Sequence, residues 1–309
     1  MPKILITGGA GFVPSSLADR LILDENNFVV VIDNFLTGDR NNLPSSQPKN
    51  HHFIKCDVNN YRDLSAVMLS YKFDYVFHYA AVVGVKRTLA NPLMVLEDIK
   101  GIENVLNLAK NTGVKRVFYS SSSEVYGEPV EFPQNEHTTP LNSKLPYAIV
   151  KNIGEAFMKS FKLEHDLDYT IFRFFNTYGP KQSSDFVMSK FAKNALNNED
   201  ITIYGDGSQT RTFCYIDDNL DATVKILNDN LEVNDVINLG SGIETTILDL
   251  AKLIIETTNS KSKIIHLPAL EEGDMTRRMP DNTKMRQILG RDLLPLKEGL
   301  DKVLEHFQK

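Results

Sequence analysis

Tyr147 and Lys151 stand four residues apart at the head of a stretch with helical periodicity, so they share one helical face. A lysine ammonium beside a phenol stabilises the phenolate, lowers the tyrosine pKa from about 10 and makes Tyr147 a usable general base for a hydroxyl proton. Upstream runs Ser120-Ser121-Ser122-Ser123-Glu124-Val125-Tyr126-Gly127, a polar cluster at the carboxyl end of a predicted strand. Open α/β sheets bind ligands outside the carboxyl ends of their strands, so a serine there is placed to hold a substrate hydroxyl while Tyr147 removes its proton.

A second constellation lies at the N-terminus. Thr7-Gly8-Gly9-Ala10-Gly11-Phe12-Val13-Pro14 follows an apolar strand and opens a helix, a turn in which glycines let the backbone approach a pyrophosphate at the helix N-terminus. Asp33, at the end of the predicted second strand, is placed to accept hydrogen bonds from both hydroxyls of an adenosine ribose. Asn34-Phe35-Leu36-Thr37-Gly38 follows without a basic residue, so a 2′-phosphate would meet a carboxylate with no counter-charge, and NAD is favoured over NADP. Asp57, with Val58 beside it, is placed either to hydrogen-bond adenine or to cap a helix.

These residues need a scaffold, and the apolar pattern supplies one. Strands are predicted over 3–7, 27–32, 53–56, 75–79, 116–120 and 169–174, alternating with helices over 14–23, from 63, over 92–112 and over 147–165. That rhythm predicts an α/β fold, a Rossmann-type doubly wound parallel sheet of six or seven strands. The expected organisation is an NAD-binding domain over 1–175 and a smaller α+β lobe over 176–309, with some chain crossing back to the sheet. The lobe should hold a hairpin-like stretch over 201–215 and helices near 217–228 and 247–257, with Asp217 and Asp218 as N-cap residues.

Composition narrows the function classes. The 309 residues are 42% hydrophobic and 24% charged, the proportions of a folded globular chain. A net charge of -6 disfavours nucleic acid, whose binding rests on clustered Lys and Arg. No apolar run approaches the ~20 residues of a bilayer span, and Met1-Pro2-Lys3 enters an apolar strand without a signal pattern, so a cytoplasmic location is expected. Cys56 and Cys214 have neither disulfide-framework nor metal-site spacing, and no metal is expected.

The order glycine turn, acidic strand end, Ser-Ser-Glu-Val-Tyr-Gly, Tyr-x-x-x-Lys, Phe-Phe-Asn-x-Tyr-Gly-Pro and Asp-Gly-x-x-x-Arg-x-Phe resembles the extended short-chain dehydrogenase/reductase superfamily of nucleotide-sugar epimerases, dehydratases and decarboxylases. The resemblance implies a triad of Ser122, Tyr147 and Lys151 that oxidises the C4 hydroxyl of a nucleoside-diphosphate sugar carrying UDP, GDP or dTDP. Lys151 would also hold the nicotinamide ribose. It further implies that Gly8, Gly11, Phe12, Val13, Asn34, Val58 and the Ala80-Ala81 segment line the NAD site. His78 is expected to be a packed strand residue. On the substrate side it implies Ser123, Asn176, the Arg211 guanidinium, whose planar fork suits a diphosphate, and a second clamp from Arg277 or Arg278. Lys86 and Arg87 point either into the pocket or into solvent. A homodimer through the helices over 92–112 and 147–165 is expected.

Three departures from the family pattern stand out. Pro14 replaces the third glycine, at a helix start where a missing N–H is tolerated. Asp98 stands where relatives usually have Asn, and Glu271-Glu272-Gly273-Asp274 where many epimerases have Arg. Ser123-Glu124 lacks the acidic pair of a 4,6-dehydratase, while Glu124 with an Arg-rich C-terminal motif resembles UDP-glucuronate decarboxylases. The leading expectation is a 4-epimerase cycle. The alternatives are decarboxylation, a net 4-dehydrogenase that releases the keto product and, from another class, an NAD-binding sensor.

Overall fold

In the computed structural model, which describes residues 1–44, 48–128, 130–268 and 277–308 without the side chains of Val85, Lys86 and Leu89, continuous apolar runs make the central strands. The first part of the chain forms β1 (Lys3–Thr7), α1 (Phe12–Leu21), β2 (Phe28–Asp33), β3 (His51–Lys55), α2 (Tyr61–Tyr71) and β4 (Tyr75–His78). It continues through α3 (Val85–Ala90), α4 (Pro92–Leu96), α5 (Asp98–Thr112), β5 (Arg116–Ser122), α6 (Pro146–His165) and β6 (Asp168–Phe174). Next come β7 (Thr177–Tyr178), α7 (Val187–Leu196), β8 (Ile201–Tyr204), β9 (Thr210–Thr212), β10 (Cys214–Tyr215) and α8 (Ile216–Asn228). The chain ends with β11 (Asp235–Leu239), β12 (Glu244–Thr246), α9 (Ile247–Thr258), β13 (Ile264–Leu267), α10 (Thr283–Leu289) and α11 (Leu296–Phe307).

Seven strands join one sheet in the order β11-β6-β5-β4-β1-β2-β3. Ile4-Leu5-Ile6 and Val29-Val30-Val31-Ile32 are fully buried, as strands covered on both faces require. β1 pairs in parallel with β2 and with β4, so Thr7 lies between Ile32 and His78. The chain reverses its direction of travel across the sheet at β1 and β4, which makes the carboxyl ends of these strands the topological switch point where such sheets bind ligands.

The chain divides into two compact units, one of Met1–Val125, Ser143–Arg173 and Val224–Ile237, the other of Tyr126–Asn142, Phe174–Thr223 and Asn238–Lys309. Within the second, Tyr126 Oη donates to Asn238 Oδ1 at 2.7 Å and Asn238 Nδ2 donates to the Gln134 carbonyl at 2.9 Å. These bonds fasten the excursion over 126–142.

Four sequence expectations need correction. The helix expected over 92–112 is two, α4 and α5, separated at Glu97. Pro14 is the third helical residue of α1 rather than the first, still inside the turn whose N–H groups lack intrahelical partners. The stretch over 201–215 is not a hairpin, because β8 pairs with β13, β9 with β12 and β10 with β7. Asp218 is not an N-cap: buried in the first turn of α8, it accepts from Arg291 Nη1 at 2.6 Å and from the Leu294 N–H at 2.9 Å.

Candidate active site

The glycine turn is built by contacts that only glycine allows. Gly8 has φ +71° and a Cβ there would stand 2.7 Å from Ala80 Cα; one on Gly9 would stand 1.8 Å from Val31 Cγ1. The turn therefore presses against the end of β4 and against β2 at once, and Gly11 serves as the N-cap of α1. The first turn of α1, with Phe12 and Val13, opens directly from it. Thr7 ties this corner together by accepting the Tyr79 and Ala80 N–H groups through Oγ1 at 3.1 and 3.0 Å. Its hydroxyl is then free to donate to His78 Nδ1 at 2.9 Å. Burial pushes the His78 pKa down to about 3, so His78 is a neutral packed residue, as expected.

Asp33 sits at the end of β2. Its Oδ2 accepts the Ala10 N–H at 2.9 Å and its Oδ1 the Phe35 N–H at 2.6 Å, leaving the outer lone pairs of both oxygens for a ribose diol. A Cβ on Gly38 would lie 3.0 Å from each carboxylate oxygen, so a side chain there would cover the acceptor. The turn, the helix N-terminus and the aimed carboxylate fit a dinucleotide. Asp57 does not cap α2, whose N-cap is Asn60. Asp57 accepts from the Asn59 N–H at 2.9 Å and from Asn34 Nδ2 at 3.1 Å, while the Val58 carbonyl accepts from Asn104 Nδ2 at 2.9 Å.

The candidate catalytic residues come from β5 and α6, which pack together. Lys151 is 3% exposed, its Nζ donates to the Ser120 carbonyl at 2.7 Å, and it lies 5.7 Å from the Tyr147 ring centroid and 5.2 Å from that of Tyr119. Desolvation lowers the Lys151 pKa to about 8, against a smaller opposing pull from Asp98. Asp98 opens α5 and accepts the Val82 N–H at 2.8 Å; burial raises its carboxyl to about 6 although that N–H and Lys151 both favour the anion. Ser122 closes β5, and its Oγ accepts the Glu124 N–H at 3.2 Å, which starts the single turn that carries Ser123, buried, and Glu124.

The remaining sequence candidates lie in the second unit, apart from Lys86 and Arg87. Asn176 follows β6 with φ +35°, and its Nδ2 is buried with no hydrogen-bond partner among the described residues. Arg211 lies on β9 and donates from Nη1 to the Thr210 carbonyl at 2.8 Å. Arg277 is committed elsewhere: it pairs with Glu244 at 2.7 Å through both Nε and Nη2, and lies 4.1 Å over the Phe132 ring. Arg278, the other arginine expected as a clamp, is buried. Arg87 turns back onto the Val83 carbonyl at 2.9 Å, while the Lys86 side chain and Glu271-Glu272-Gly273-Asp274 lie outside the described residues. Among the described residues no group of His, Cys, Asp and Glu is arranged to hold a metal ion, and no helix is long and apolar enough to cross a membrane.

A parallel sheet in this order, with a glycine turn and aimed aspartate at its switch point and a buried Lys151 beside the half-buried Tyr147 on α6, defines a Rossmann-type NAD-dependent enzyme. Residues 4–240 match the NAD dependent epimerase/dehydratase family, and the chain belongs to it. UDP-glucuronic acid decarboxylase 1 of Danio rerio is 36% identical over 99% of this chain and 73% of its own length. UDP-glucose 4-epimerase of Thermotoga maritima, solved with UDP-glucose, superposes with a TM-score of 0.91 at 32% identity, covering 99% of this chain and 98% of that one. UDP-glucose 4-epimerase of Thermus thermophilus, solved with NAD, gives 0.91 at 26% identity and covers 99% of both chains. The chain is thus an NAD-dependent enzyme acting on nucleotide sugars.

Proposed function

We propose that this protein oxidises the C4 hydroxyl of a UDP-sugar and completes a 4-epimerase cycle by reducing the 4-keto sugar on its opposite face. Ser122 holds the C4 hydroxyl, and Tyr147, as phenolate, takes its proton and later returns it. Lys151 keeps the phenolate stable with an ammonium that is fixed on the Ser120 carbonyl. NAD, held by the glycine turn and Asp33, would supply the hydride chemistry at C4. Asn176, Arg211 and Arg278 bind the nucleotide diphosphate. The observation that carries the reading is Lys151 itself: a buried cation beside the Tyr147 ring has a large desolvation cost and, among the described residues, no counter-ion in hydrogen-bond contact, an arrangement suited to stabilising a phenolate. The Thermotoga relative solved with UDP-glucose supports the substrate class.

A second reading is decarboxylation of UDP-glucuronate, favoured by Glu124 next to the Ser122 turn, by the buried Arg278 and by the resemblance to the Danio rerio decarboxylase. A homodimer accompanies either reading, supported by Ile149 and the 87% exposed Leu163 on α6; sedimentation showing only monomer would remove it.

The test is incubation with UDP-glucose and with UDP-glucuronic acid, products being separated and weighed. An isomer of unchanged mass is expected. Loss of carbon dioxide would transfer the assignment to the decarboxylase, and a product two hydrogens lighter with NADH retained would indicate a dehydrogenase. Tyr147→Phe should abolish every one of these conversions.

A further inference from the structure

Beneath the catalytic residues lies a buried ionic cluster. Glu155 sits on α6 four residues after Lys151 and eight after Tyr147, on the same helical face. Its Oε1 accepts from Ser121 Oγ at 2.6 Å and from Arg173 Nε at 2.9 Å, and its Oε2 accepts from Arg173 Nη2 at 2.7 Å. Both charged side chains are 2% exposed. Ser121 lies on β5 between Ser120, whose carbonyl receives Lys151, and Ser122; Arg173 lies on the neighbouring strand β6.

The helix is unusually close to the sheet at this level. A Cβ on Gly154 would stand 2.1 Å from Tyr119 Oη, so glycine alone admits α6 here, and Tyr119 and Ser121, two apart on β5, share the strand face that α6 covers. Apolar contact is non-directional and tolerates small shifts in rotation, whereas a polar contact at this level fixes one orientation of the helix. A buried ion pair adds little net stability over apolar packing of the same volume, but it demands one geometry, because either charge left unpaired is costly.

We propose that Glu155 is a positioning residue: held by Arg173 and gripping the Ser121 hydroxyl, it fixes the rotation of α6 against β5 and so sets Lys151 and Tyr147 relative to Ser122. The inference rests on the catalytic roles proposed for those three residues. A misplacement of the order of an ångström at such a site lowers turnover about a hundredfold without altering the remote contacts that bind substrate.

The test uses the protein carrying its NAD, with four variants. Ser121→Ala removes one hydrogen bond and leaves the ion pair whole, so it keeps the experiment informative where Glu155→Gln fails to fold. On the sugar nucleotide that the parent converts, Ser121→Ala should lower kcat about tenfold with KM unchanged within about twofold. The Lys151 ammonium, followed by ζ-nitrogen NMR and assigned with Lys151→Met, provides a readout that needs no substrate. Loosening the cluster admits water, and because burial is what holds this pKa down, its midpoint should rise in Ser121→Ala from about 8 by about half a unit or more. An unmoved midpoint, or kcat within twofold of the parent, would overturn the positioning role and leave an ordinary structural ion pair. Tyr147→Phe separates the two layers: if it retains turnover, the proposed base is wrong, whereas the Lys151 titration still decides whether the cluster seats Lys151.

Discussion

Lys151 Nζ is held 2.7 Å from the carbonyl oxygen of Ser120, a residue of the strand that ends at Ser122. The contact joins the helix that carries Tyr147, the proposed base, to the strand that ends at Ser122, proposed to hold the substrate hydroxyl. It also leaves a cation in a buried place with a neutral acceptor as its only hydrogen-bonded anchor among the described residues, so function and stability are opposed at this position.

Lys151→Met should therefore be inactive and more stable than the parent. Desolvation takes the lysine pKa from 10.5 to about 8, a difference on the order of 3 kcal/mol against the folded state. A folded-state pKa below the unfolded value means that this cost is complete below pH 8 and is relieved as pH rises from 8 to 10.5. Methionine avoids the cost but loses the bond to Ser120, for a net gain of about 1–3 kcal/mol at neutral pH. Denaturant titrations at pH 7 and pH 10 check this: the gain should shrink at the higher pH, and a destabilised variant at pH 7 would contradict it.

Asp98 gives the opposite pH sign. Its carboxyl is raised from 3.8 to about 6, chiefly by burial, so the ionised form costs stability above pH 6 and the cost is relieved as pH falls from 6 towards 3.8. Asp98→Asn should be the more stable protein at pH 7, with the advantage closing below pH 5. Because the Asp98 charge is what holds the Lys151 pKa up, the Lys151 midpoint should fall below 8 in this variant. The groups acting on Asp98 are the Val82 N–H, Lys151, Asp57 and Glu97. Melting curves between pH 4 and pH 8, with lysine NMR at each pH, would show both effects; a stability difference independent of pH would refute the assignment.

The sheet was legible because buried parallel strands are continuous apolar runs, which stay visible without knowledge of their neighbours. The glycine turn, Asp33 and the Tyr147-Lys151 pair were legible for a related reason, since each is a local spacing. What composition and spacing do not carry is pairing across distance. Ile201 to Tyr204 has the composition of a hairpin arm, yet its partner is some sixty residues on, at Ile264 to Leu267. Glu155 gave a signal that only tertiary structure explains: a carboxylate on the inward face of an amphipathic helix, matched by Arg173 inside the apolar strand Asp168–Phe174. Arg277 and Arg278 are indistinguishable by type, and only Glu244 and Phe132, both far away in sequence, separate them.

Gly154→Ala should invert the usual helix rule. In an exposed helix interior alanine is better than glycine by about 1 kcal/mol. Here the added methyl would lie 2.1 Å from Tyr119 Oη and 2.2 Å from Tyr119 Cζ, and the overpacking costs about 1–3 kcal/mol. Tyr119→Leu in the same chain shortens the opposing side chain and should recover part of the loss. Denaturation midpoints of the single and double variants decide it, and a Gly154→Ala protein at least as stable as the parent would mean that α6 is not held at this distance.

Arg277→Ala and Arg278→Ala should separate a surface contact from a substrate contact. Arg277 is 43% exposed and committed to Glu244, so its loss should leave KM for the sugar nucleotide near the parent value. Exposed pairs of this kind contribute little, and the melting temperature should move only slightly. Arg278 is buried, and if it is the proposed diphosphate clamp its removal deletes a charge-assisted bond that a planar guanidinium makes well. KM should rise about tenfold or more, while affinity for NAD, measured by fluorescence quenching on the stripped protein, stays unchanged. Equal effects of the two substitutions on KM would place the diphosphate elsewhere, with Arg211 the next arginine to substitute.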